Sequence, residues 1–143
     1  MSKLILLLTT IFLFSCIENI EQSYKNYQDF IKTSDGNKSW FPDFISKDFY
    51  NIKEIHNIDN NNSFVTFNYR KENKIDSLIS CKTTNKITVK QFNTLIKKIS
   101  NPKRPKWFLK PENTVGLEFF QTKNMIIAKD PATKAVYFVY SPW

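Results

Sequence analysis

The sequence predicts an α+β fold: a single small domain, mainly antiparallel sheet, with two or three helices packed on one face. Three observations carry that prediction. Val65, Phe67 and Tyr69, and again Val136, Phe138 and Tyr140, alternate with the period of two that a half-buried strand needs. Val89, Phe92, Ile96 and Ile99 recur instead at helical spacing. Between the strand candidates lie short turns rich in Asn, Asp and Pro, which join antiparallel neighbours. With 41% hydrophobic and 15% aromatic residues, thirteen of them Phe, the chain can fill a core.

In chain order, the first feature is an apolar run, Leu4 to Phe14, behind the single charge of Lys3. Eleven residues of helix reach about 16 Å, roughly half a bilayer's hydrocarbon core. Such a run reads as an export signal rather than a span. Leu13-Phe14-Ser15-Cys16 resembles a bacterial lipobox, with Phe14 bulkier than the usual residue there. The resemblance implies that residues 1–15 are a cleaved signal peptide and that Cys16 carries diacylglycerol as the new N-terminus. More than one acyl chain at about 0.8 kcal/mol per buried methylene anchors stably. The membrane is therefore the first partner expected. Ile17 stands where an Asp would retain a lipoprotein at the inner membrane, so a double-membraned cell would pass it to the outer one.

Residues 16–18 then form a short tether, and 19–143 the single envelope domain. Ile20, Tyr24, Tyr27 and Ile31 make one helical stripe, which predicts a first helix capped by Asn19 and stopped at Ser34-Asp35-Gly36. Ile52 to Ile58 reads as a strand, Asp59 to Ser63 as a turn, and Phe64 to Arg70 as the returning strand. Glu72 to Cys81 is a short helix or turn. Thr88 to Ile99 is a clearer helix, with Thr88 and Gln91 as a capping box and Pro102 beyond its end. "NPKRPKWFLKPEN" is an extended connector, and Thr114 to Thr122, Asn124 to Lys129 and Ala135 to Tyr140 close the chain as strands.

Within this order, Trp40, Pro42, Ile52, Glu54, His56, Asn57, Asp59 and Asn61 resemble the opening of the YbbD head-domain family. In that family a Trp-Pro segment leads into a strand of the form Ile-x-Glu-x-His/Tyr-x-x-Asp-x-Asn. Ile45-Ser46 lacks the second proline often found there. The resemblance implies a small α+β envelope domain and supplies no catalytic residues.

Composition excludes some chemistry. Two glycines leave no room for a glycine-rich phosphate loop, and no cofactor motif is present. His56 is the sole histidine, too few for a histidine metal site, and no catalytic nucleophile accompanies it. Glu54, His56 and Asp59 form a polar cluster that reads first as hydrogen-bonding scaffold. The runner-up is an envelope hydrolase or transferase using His56. Asp59-x-Asn61-x-Ser63 opens like a calcium loop, but Phe64 and Arg70 occupy the positions that need Gly and Glu. Cys81 reads as a small buried residue once Cys16 is taken by lipid.

The formal charge is +8, or +7 once Lys3 is removed with the signal peptide. In an exported protein that excess points to anionic lipid, cell-wall polymer or an acidic protein, and nucleic acid fits the address poorly. Lys103, Arg104, Lys106 and Lys110 surround Trp107 and Phe108, which makes this stretch the best candidate binding surface. The competing reading puts the two aromatics in the core and the charges in water. A non-enzymatic binding module is thus the leading expectation, with an immunity or inhibitor lipoprotein against a toxin or lytic enzyme as a narrower form of it.

Overall fold

The computed structural model describes residues 19–33, 45–80 and 84–142. The signal peptide, Cys16 and its tether, Ser34-Asp35-Gly36, the Trp40-Pro42 segment and Cys81 lie outside the described residues. Seven antiparallel strands form one sheet: β1 (Asn19–Asn26), β2 (Phe49–Asn57), β3 (Ser63–Tyr69), β4 (Asn85–Lys86), β5 (Glu118–Gln121), β6 (Met125–Asp130) and β7 (Ala135–Tyr140). Their order is β1-β2-β3-β7-β6-β5-β4. Two meanders are therefore zipped along β3 and β7, with Val65 opposite Phe138 and Phe67 opposite Val136. Three helices are described: α1 (Tyr27–Thr33), α2 (Glu72–Ile79) and α3 (Val89–Lys97).

The first element corrects the expected helix. Residues 19–26 are a strand on β2, and the helix begins only at Tyr27. Gln22, Tyr24 and Asn26 also alternate, and pairing with β2 satisfies their backbone, which a short exposed helix would not do as well. Asn26, not Asn19, caps α1, its Oδ1 accepting from the backbone N–H of Gln28 at 2.8 Å and Asp29 at 3.1 Å. The later helix follows expectation, since Thr88 and Gln91 form both halves of the capping box.

Helices on one face is also corrected. Val65, Phe67, Val136, Phe138 and Ile127 turn to one face with Phe30 of α1 and Ile75 of α2. Phe64, Val139, Ile126 and Ala128 turn to the other, with Phe92 and Ile96 of α3 and Phe108 of the connector. The central strands are buried on both sides, so their side chains read as near-continuous apolar runs such as Ile126-Ile127-Ala128. Phenylalanines fill both layers. Phe49 stacks on Phe67 at 4.4 Å on the first, and Phe64 meets Phe108 edge-on at 4.9 Å on the second.

A bulge interrupts β2 where it meets β3. Tyr50 pairs with Asn68 but Lys53 with Thr66, so Asn51 and Ile52 face a single residue. Asn51 takes φ +51°, a left-handed conformation that asparagine tolerates better than most residues.

A groove on the second face

The second face is only partly covered. Its β5, β6 and β7 portion lies under α3, whereas beside β1 and β2 it opens as a groove of about 690 Å³, within the range of ligand sites. Ser23 and Lys53 stand directly opposite each other on its floor, with Thr66 next across β3 and Lys25 two residues along β1. Trp107 and Tyr137 supply its aromatic surface. The bulge at Asn51 borders it, as bulges often border working surfaces.

Each wall is held from outside. Trp107 Nε1 donates to Glu21 Oε1 at 2.6 Å, which pins the indole against β1. Tyr137 packs edge-on against Phe108 at 5.6 Å, and burial, then the negative charge of Asp130, pushes its phenol above the ordinary range. Asp130 serves its own turn: its carboxylate accepts from the backbone N–H groups of Ala132 and Thr133 and from the Thr133 hydroxyl. Lys25 and Lys53 are exposed and contribute positive charge to a floor of hydroxyls and amides. A smaller cavity of about 300 Å³ lies beyond Trp107 and Tyr137, flanked by Lys106 and Lys110.

The structure divides the basic connector. Phe108 is core, 2% exposed, and Trp107 is half-buried. Lys106 and Lys110 flank the smaller cavity, while Lys103 and Arg104 lie exposed just past Asn101, beside the β2–β3 turn. Lys25, Lys53, Thr66 and Tyr137 were missed as site residues. Lys53 alternates with buried Ile52 and Glu54, which is a legible signal, but Ser23 and Lys25 were hidden by reading β1 as helix.

Glu54 and His56 face the first, covered side and are 1% and 5% exposed. Glu54 accepts from the Tyr24 hydroxyl at 2.9 Å, and that hydroxyl also meets the Gln22 amide. Burial, then the charge and hydrogen bond of Glu54, raises the Tyr24 phenol well above its usual range. Burial lowers the pKa of His56. His56 lines neither the groove nor the smaller cavity, and Asp59 sits exposed in the turn. Among the described residues no group of three or more His, Cys, Asp and Glu is placed to hold a metal, and no helix is long and apolar enough to cross a membrane.

The residues that carried the family resemblance build one hairpin. Ile52, Glu54 and His56 alternate into the first face, Asn57 takes a backbone hydrogen bond from Asn60, and Asn61 turns the chain at φ +55°. Residues 18–68 match the family model of the YbbD head domain, just over a third of the chain. No curated protein and no solved structure matches it. The β1-to-β3 meander of this protein is YbbD head-domain-like.

Proposed function

We propose that this protein is a lipoprotein held to a membrane through Cys16, whose domain binds an anionic polymer of the cell envelope without transforming it. The observation that supports this reading is the composition of the groove. Hydroxyls and amides on its floor suit a hydroxyl-rich chain, Lys25 and Lys53 suit its phosphate or carboxylate groups, and Trp107 and Tyr137 offer flat apolar contact.

The test is photocrosslinking in cells, with the reactive group placed at Lys53 of the full-length, C-terminally tagged protein. The expected product is a heterogeneous high-mass adduct that collapses on digestion of cell-wall polymer and disappears in the Lys25→Glu variant. A single discrete protein adduct would move the role to protein binding or inhibition. Adducts no more abundant than from a group placed at Lys71, outside the groove, would refute the site.

A further inference from the structure

The antiparallel register gathers five segments at one end of the sheet: the start of β1, the end of β2 with its turn, the connector after α3, the β5–β6 turn and the end of β7. Asparagines lace them together. Asn57 Nδ2 donates to Asn19 Oδ1 at 3.1 Å, and Asn60 Nδ2 and Asn62 Nδ2 both donate to the Asn101 carbonyl, at 3.0 and 2.9 Å. Ser141 closes the set, its hydroxyl donating to Asn62 Oδ1 at 2.7 Å and its backbone N–H to the Asn124 carbonyl at 2.9 Å. Exposed cations border this network: Lys103 and Arg104 follow Asn101 and the buried Pro102, and Lys123 precedes Asn124. Ile58, half exposed, projects at the turn, where Asp59 is the acid.

We propose that this end of the domain rests on the bilayer, with Lys103, Arg104 and Lys123 against anionic lipid headgroups and Ile58 at the interface. The inference rests on the reading of Cys16 as the lipid anchor. Three residue steps from Cys16 to Asn19 reach at most about 10 Å, so the surface around Asn19 is the one drawn to the membrane. Charge alone would not choose it, because Arg70, Lys71 and Lys134 make the opposite end basic too. That end lies a whole β1 away, eight residues or about 27 Å. The tether decides, and the cations then match the headgroups they meet. In this orientation Lys25, Asn51 and Thr133 of the groove belong to the end away from lipid, where an envelope polymer can reach them.

The experiment uses full-length lipidated protein in nanodiscs of phosphatidylcholine with phosphatidylglycerol, a trace of headgroups carrying a gadolinium chelate. Amide signals of Asn60, Lys103 and Lys123 should lose most of their intensity while those of Lys71 and Lys134 keep theirs. Lys103→Glu combined with Arg104→Glu should lessen that loss in the anionic discs without abolishing it, because the tether still holds Asn19 near lipid, and should change little in pure phosphatidylcholine. Mass spectrometry of the same sample reports acylation of Cys16. Acylated protein with uniform loss, or loss centred on Lys134, overturns this proposal alone, whereas a chain without acyl groups overturns the anchor reading and this one with it.

Discussion

Replacing Asp76 with Ala should cost more stability than removing the lysine it pairs with. Lys129 points from β6 into the first face, and its side chain is 8% exposed; its partner Asp76, on α2, is 52% exposed at 2.7 Å. Glu118 stands farther off at 4.0 Å. Burial works against the ammonium, but the Asp76 hydrogen bond and the negative charges of Asp76 and Glu118 hold its pKa above the ordinary value. When Asp76 is lost, the ammonium keeps its burial and loses its nearest compensating charge. Breaking a fully buried pair costs about 3–5 kcal/mol and an exposed one about 0–1, so this half-screened pair should fall near 1–2. Lys129→Met removes the buried charge and leaves Asp76 in water, so it should cost less than Asp76→Ala. In urea, with a slope of about 1–3 kcal/mol/M, a 1.5 kcal/mol loss lowers the midpoint by about 0.5–1.5 M. An Asp76→Ala midpoint within error of the parent, or a larger drop for Lys129→Met, would show that Lys129 is solvated and refute the argument.

Three further outcomes are expected. Asn51→Val should cost about 1–2 kcal/mol because a β-branched residue resists φ +51°, while Asn51→Gly should stay within a few tenths; paired thermal melts distinguish them. His56 has a lowered folded pKa, so the unfolded chain binds its proton first, and the stability it contributes is present above about pH 6.5 and is lost as pH falls toward the folded value. His56→Gln should flatten the urea midpoint between pH 7.5 and 5 relative to the parent; an unchanged slope would remove His56 as the cause. Phe108→Ala should cost about 3–5 kcal/mol by opening the second core layer, whereas Trp107→Ala should leave the fold standing and weaken retention on envelope polymer, as calorimetry and a sedimentation assay would read.

Local chemistry wrote several elements directly into the sequence. The capping box at Thr88 and Gln91, the asparagine turn between β2 and β3 and the strand from Ala135 to Tyr140 stand where the sequence predicts them, although that strand is buried on both faces rather than one. Residues 19–33 were not legible in the same way, because their apolar spacing fits a helix and a strand alike until β2 offers its edge. Tertiary structure also decided the zipping of β3 onto β7, across more than sixty residues of chain, and with it the burial of both faces. The groove follows from those choices. Its lysines, hydroxyl residues and aromatics come from β1, β2, β3, β7 and the connector, and no local signal encodes their meeting; only the register of the finished sheet brings Lys25, Lys53, Thr66 and Tyr137 to one surface.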